Sequence, residues 1–295
     1  MTLLGLALTF ATIALLVIEF LRRRRAPLAP YGWAGLVALV VAEGLMFRAV
    51  EPVATYFTPI AWTCYILVAD AAVLAISGHS RLHDAPRRLA LVALLSIPLW
   101  LIFEAYNLRL ENWTYVGVPP GAAGIFGYGW SFATIMPGIF ETADLVEAFG
   151  WFRPTRPVVL SSAAERGVAL LGLVCLVLPL VLPRHTAAYL FALVWIGFVF
   201  LLDPINHHRR LPSLLGDLAA GRPGRLYSLL ISGWVCGWLW EFWNYWAAAK
   251  WHYIFPLAQQ WKIFEMPAPG YLGFLPFALE CFALYVTASG MFSRP

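Results

Sequence analysis

Apolar residues gather in nine long runs separated by short polar or Pro- and Gly-rich stretches, at about 3–21, 32–50, 57–77, 89–107, 130–150, 167–182, 187–203, 226–248 and 270–291. A helix needs roughly 20 apolar residues to cross the hydrocarbon core of a bilayer. The pattern therefore predicts an all-α integral membrane protein of about nine transmembrane helices. The first run ends in the arginines 22–25 and lacks the basic start and small-residue cleavage site of a signal peptide, so it counts as a helix. The link between the sixth and seventh runs, 183–186, is very short.

Inside and just after these runs, polar and aromatic residues recur in a fixed order. Glu104-x-x-Asn107 returns as Glu241-x-x-Asn244, and Trp113-x-Tyr115 as Trp251-x-Tyr253. Pro119 is echoed by Pro256, and Gly127-Tyr128 by Gly270-Tyr271. Pro137-x-x-x-Glu141 returns as Pro276-x-x-x-Glu280, and upstream Asp70 is matched by Asp203. The offset drifts only from 133 residues at the aspartates through 137 at Glu104 and Glu241 to 139 at Glu141 and Glu280. Such order predicts an internal duplication: an extra N-terminal helix with its basic flank (1–25), a first four-helix repeat (32–150) and a second (166–291). An even number of spans per copy gives both copies one orientation, so the repeats are expected to be parallel rather than inverted.

Composition agrees with the pattern. The chain is 61% hydrophobic and 12% charged, where a soluble domain carries about 25% charged residues. With the N-terminus outside, 15 of the 20 basic residues fall on one side of the nine-span topology and 5 on the other: Arg48, Arg109, Arg184, Lys250 and Lys262. The positive-inside rule then puts the C-terminus in the cytoplasm, the protein in an inner or plasma membrane, and the loops 108–129 and 249–269 outside. The net charge of +4 is spread over membrane flanks and implies no nucleic-acid partner. Asn112-Trp113-Thr114 on the outer side matches a glycosylation acceptor, a common chance match. The four cysteines each lie in an apolar run without paired spacing and read as small core residues.

Candidate chemistry rests on ionisable groups inside spans, which are costly there and mark a bundle interior. The candidate acids are Glu104, Glu241, Glu141 and Glu280, with Asn107 and Asn244 to orient them. Trp113, Tyr115, Trp240, Trp243, Trp251 and Tyr253 are expected to line a substrate cavity, with Asp70 and Asp203 as further substrate-binding positions. The alternative reading is that the same groups only lock helix hairpins together, and that the aromatics form the usual belt at a membrane interface. Neighbouring His207 and His208 suggest metal binding but have no His-x-x-His or His-x-x-x-His partner and read as solvated residues at a helix end; His79 and His83, four residues apart in the equivalent loop of the first copy, are a weak echo of them. No metal or cofactor is expected, since no Cys-x-x-Cys pair, phosphate loop or nucleophile elbow occurs.

Two tandem modules, each with a Trp-x-Tyr loop followed by a helix bearing a Pro-to-Glu element, resemble the fused membrane-type lycopene cyclases over about 108–150 and 249–291. In that family each module carries Pro-x-Glu-Glu and the reaction is acid-catalysed ring closure of an isoprenoid chain. The matching positions are Pro137 with Glu141 and Pro276 with Glu280. The spacing differs here, the paired acid is absent, and nine spans exceed the usual number. The resemblance implies a terpenoid or lipid-modifying cyclase or isomerase, a lyase-like or isomerase step in carotenoid biosynthesis being the type case.

The leading expectation is thus an intramembrane enzyme that uses general acids in an aromatic-lined cavity on a lipid or isoprenoid. A proton- or cation-coupled transporter or channel with parallel repeats is the second reading. A structural or assembly subunit of the membrane is the third. Cavity shape discriminates among them: a lateral opening to lipid favours the enzyme, and a water-filled path the transporter.

Overall fold

The computed structural model describes residues 1–292. In chain order the elements are α1 (Thr2–Arg23), α2 (Pro30–Phe47), α3 (Phe57–Ser77), the short α4 (Arg81–Asp84), α5 (Pro86–Leu110), β1 (Trp113–Val116), α6 (Ala122–Ala148) and α7 (Ser162–Val181). There follow the short α8 (Arg184–Ala187), α9 (Phe191–His208), the short α10 (Leu214–Ala219), α11 (Gly224–Trp246), and β2 (Lys250–Tyr253). The chain closes with β3 (Lys262–Ile263), β4 (Met266–Pro267), a 3-10 turn (Ala268–Gly273) and α12 (Phe274–Phe292).

The helix ends follow local chemistry. Pro30 and Pro86 open α2 and α5 at positions where a missing N–H costs nothing. Gly78 closes α3 in the left-handed conformation at φ 80°. Ser80, Ser161 and Ser213 cap α4, α7 and α10 through their side chains. The expected span 57–77 coincides with α3, but α6 begins at Ala122 rather than near 130. The loops expected at 108–129 and 249–269 also contain backbone pairing that apolar periodicity does not reveal, the β1–β2 ribbon and the β3–β4 hairpin.

Among the described residues, seven helices are long and apolar enough to cross a membrane: α1, α2, α3, α5, α7, α9, and α12 with its preceding turn. The expected spans 130–150 and 226–248, now α6 and α11, have the length but not the apolar composition. The reason is their position. They pack on one another, α6 against α3 and α5 as well, and α11 against α12. Protein, not lipid, surrounds most of their surface, so α6 tolerates Glu141 and Thr142 fully buried and α11 tolerates Ser232, Glu241 and Asn244.

The packing runs in two matching sets. α2 lies on α3 as α7 lies on α9, α3 on α6 as α9 on α12, and α5 on α6 as α11 on α12. α6 with α11, and α5 with α12, join the sets, while α1 rests outside them on α11, α3 and β3. Some of these contacts need glycine. A Cβ at Gly233 of α11 would stand 2.0 Å from the carbonyl oxygen of Phe274 on α12. One at Gly172 of α7 would stand 2.4 Å from the backbone nitrogen of Leu201 on α9.

Basic residues segregate by end. Arg25 N donates to Ala75 O, Trp151 Nε1 to Glu19 Oε2, and Thr155 N to Gly221 O. These contacts gather 22–25, the α3–α4 and α9–α11 links and the segment 149–161 at one end. Arg48, Arg109, Arg184, Lys250 and Lys262 lie towards the other, where Arg109 reaches Leu182 O and Arg184 pairs with Glu111. Arg294 lies outside the described residues.

Candidate functional site

At the end away from the arginine-rich links, β1 and β2 pair antiparallel, with Trp113 opposite Tyr253, Thr114 opposite His252, Tyr115 opposite Trp251 and Val116 opposite Lys250. Side chains alternate across a strand, so Trp113, Tyr115, Trp251 and Tyr253 share one face of the ribbon. His252 points to the other face and bonds Glu265 over 2.9 Å.

The Glu-x-x-Asn motifs hold this ribbon. Residues three apart share a helix face, so each glutamate and asparagine reaches the strand that follows. Asn107 Oδ1 accepts from the N–H groups of Asn112 (2.8 Å) and Trp113 (3.1 Å), and its Nδ2 donates to Trp113 O (2.9 Å). Asn244 does the same for Trp251, with 2.9 Å to both its N–H and its carbonyl. The asparagines were expected to orient the acids; they grip strand backbone instead, because an amide supplies both a donor and an acceptor.

The glutamates take the hydroxyl two residues further on. Tyr115 donates to Glu104 Oε1 over 2.6 Å, and the same oxygen accepts from Trp100 Nε1 (2.9 Å) and Trp113 Nε1 (3.3 Å). Tyr253 donates to Glu241 Oε1 over 2.9 Å. Glu241 is fully buried and its Oε2 has no hydrogen-bond partner, whereas Glu104 is half-buried. Burial first, and then the neighbouring glutamate, lift the hydroxyls of Tyr115 and Tyr253 well above the usual phenol range.

Under the ribbon is a cavity with about 1130 Å³ of empty space including its mouth. Trp62, Trp100, Trp113, Trp195, Trp240 and Trp251 line it, with Tyr115, Tyr128, Tyr253, Phe132, Phe274 and Phe277. The rings interlock: Trp62 and Trp240 lie 4.8 Å apart between centroids, and Trp100 meets Phe277 edge-on at 5.7 Å. Polar groups are few. Lys250 borders the cavity, yet its ammonium is held by Tyr245 O at 2.9 Å. The rim is formed by Thr55, Tyr56, Val118, Pro119 and Gly127, beside the exposed Ile125 and Phe126 on α6.

Glu104 and Glu241 stand behind the wall, so the group each pair presents to the cavity is a phenol whose oxygen is bonded to a carboxyl. Such a pair can donate a hydrogen bond or pass a proton along the chain.

Several expected site residues lie elsewhere. Trp243 does not line the cavity; its Nε1 donates to Glu43 on α2 over 3.1 Å. Asp70 and Asp203 do not reach it either. Asp70 lies eight residues beyond Trp62 on α3, about 12 Å along the axis. Both aspartates receive the start of the next short helix: Asp70 accepts from Leu82 N and Ser80 Oγ (2.8 Å each), and Asp203 from Leu214 N (2.7 Å) and Leu215 N (2.9 Å). Each is an anchoring acceptor for exposed-end N–H groups. Glu141 and Glu280 are fully buried below the cavity floor, one turn past Phe277 in the case of Glu280 and six residues past Ile135 in the case of Glu141.

Conversely, Trp62, Trp100, Trp195 and Phe277 belong to the site without having been singled out. Trp62 and Trp195 are separated by the same 133 residues as Asp70 and Asp203, a signal present in the sequence. His207 contacts Ser213 Oγ and Glu165. Among the described residues, no three His, Cys, Asp or Glu side chains are grouped to hold a metal ion. No family model, curated protein or solved structure matches this chain.

Proposed function

We propose that this protein is an intramembrane enzyme that takes a lipid or isoprenoid chain into the aromatic cavity and acts on it by general-acid chemistry. Tyr115 with Glu104 and Tyr253 with Glu241 would be the proton-donating pairs. The observation that carries the reading is the conjunction of an almost wholly aromatic cavity with two phenol–carboxyl pairs at its wall. A phenol alone is too weak an acid for efficient protonation at neutral pH. The relay needs a protonated carboxyl and a reversed hydrogen bond: the glutamate gives its proton to the phenol oxygen as the phenol's own proton turns to the chain, the glutamate is left as carboxylate, and indole faces stabilise the positive charge that develops on the chain. The rim beside Ile125 and Phe126 supports access from lipid. The resemblance to membrane-type lycopene cyclases points to the same substrate class, with the acids shifted from the Pro-to-Glu positions to Glu104 and Glu241. The reading includes nine spans in two parallel repeats, with the ribbon outside and the arginine-rich end cytoplasmic.

Lipid extraction and mass spectrometry of the purified protein test this. Wild-type protein is expected to carry or convert an isoprenoid or lipid. Glu241→Gln and Tyr253→Phe, which keep the shape of the wall, are expected to carry the unconverted chain. Full turnover in both variants would defeat the proposal.

A further inference from the structure

The part of the cavity wall built by α3 carries two hydrogen-bond donors for which the protein supplies no acceptor. Trp62 lines the cavity and is 1% exposed, and its Nε1 has no hydrogen-bond partner. Thr58 lines the cavity too, and its Oγ1 is buried and equally without a partner. The two residues are four apart on one helix, so they share a face, about 6 Å apart along the axis.

Both orphans stand out against their own kind in this protein. An indole N–H can only donate. Trp100 and Trp113 of the same wall give theirs to Glu104, and Trp130 gives its own to Thr63. Helical Thr9, Thr63 and Thr142 return their hydroxyls to the carbonyl one turn back, and Thr58 does not. Around Trp62 stand the rings of Tyr65, Trp240 and Trp243, and the Tyr65 hydroxyl is engaged with Thr142. The ring is set from the far side, since a Cβ at Gly138 on α6 would stand 2.9 Å from both its Cε3 and its Cζ3. That edge lies opposite the nitrogen, so the N–H is turned away from α6.

The rest of the wall cannot answer these donors. Among the described residues, no carboxylate, carboxamide or imidazole lines the cavity. The hydroxyls of Tyr115 and Tyr253 are spent on their glutamates. A buried donor left unmet is costly, so an acceptor brought in by a ligand gains from both at once.

We propose that Trp62 and Thr58 form a subsite for a neutral oxygen on the bound chain, a carbonyl or hydroxyl oxygen whose lone pairs take both donors. An anion is poorly matched, because the ammonium of Lys250 is already bonded to Tyr245 O over 2.9 Å. A cation or an amide N–H would meet donors only. This rests on the reading of the cavity as a lipid or isoprenoid site and narrows it: the substrate is an oxygenated chain, fixed by its oxygen on α3, rather than a bare hydrocarbon.

Binding to the purified full chain in lipid nanodiscs tests this with two radiolabelled isoprenoid probes. One is farnesylacetone, and the other is the hydrocarbon with a methylene in place of its carbonyl. The readout is the ratio of the two affinities, because partition of each probe into the bilayer is the same for every variant. Thr58→Val keeps the side-chain shape and loses the hydroxyl; Trp62→Phe keeps an aromatic ring and loses the N–H. Each should lower the preference for the ketone about 2–10-fold. Thr58→Val should leave hydrocarbon affinity as in wild type, and it decides the matter alone if Trp62→Phe fails to fold. If wild type binds both probes and the variants leave the ratio unchanged, the subsite is overturned while the proposed function stands. If wild type binds neither probe, both fall together.

Discussion

Tyr115 stands directly across the ribbon from Trp251, while its hydroxyl reaches back to Glu104 on the helix that precedes its own strand. Each half of the chain therefore clamps its own strand and lends an aromatic face to the other half. The cavity roof exists only when both strands are seated, so the clamps are the first place to test.

Asn244→Ala removes both bonds to Trp251 and leaves its N–H and carbonyl without the amide. A loss of about 1–3 kcal/mol is expected, since the cost is that of unmet buried backbone groups. Asn244→Asp keeps the acceptor and loses the donor, and should fall between. Thermal unfolding in detergent gives the order, and protease cleavage of the 249–269 segment should rise in the same order.

The raised ionisation of Tyr115 and Tyr253 fixes a sign at alkaline pH. In the unfolded chain a tyrosine releases its proton near pH ~10, while in the folded protein these two retain theirs. Folded protein then binds more protons than unfolded, and stability present below that pH is lost as pH rises above it. In an ultraviolet titration of tyrosinate, Tyr253→Phe should lower the total from 12 tyrosines without reducing the step near pH ~10. A reduced step would mean that the buried phenol titrates normally.

Gly233→Ala tests the contact between α11 and α12. The added methyl meets a backbone carbonyl rather than a movable side chain, so a destabilisation of about 1–3 kcal/mol is expected from overpacking. Gly129→Ala, where nothing lies within 4 Å of a Cβ, should be nearly neutral and serves as the control.

Sidedness can be read by labelling. The native cysteines are all buried, which gives a quiet background. In intact cells an impermeant thiol reagent should modify Gln260→Cys, near the ribbon, and spare Arg222→Cys, at the arginine-rich end. The opposite pattern would reverse the proposed orientation.

Much of this arrangement could be read from residue order. The span 57–77 is α3, and the Glu-x-x-Asn and Trp-x-Tyr residues do meet, each motif at its own strand of the ribbon. The partners of the polar side chains could not. Spacing puts Glu241 and Asn244 on one helix face, but only the strand's return decides that the amide meets backbone and the carboxyl meets Tyr253. Depth was equally hidden: Glu280 follows Phe277 by one turn, and one turn separates the cavity floor from the sealed interior. α6 and α11 were legible as helices but not as the central pair, because burial by protein relaxes the demand for apolar residues.

The ribbon also restricts how this molecule can move. Two bundles that rock about a shared axis must part at one end and then at the other. At this end they are stitched by main-chain hydrogen bonds between β1 and β2, and each strand is fastened to its own bundle by an asparagine. Parting there would tear a sheet as well as a side-chain interface. At this end the halves are held as a single strapped body.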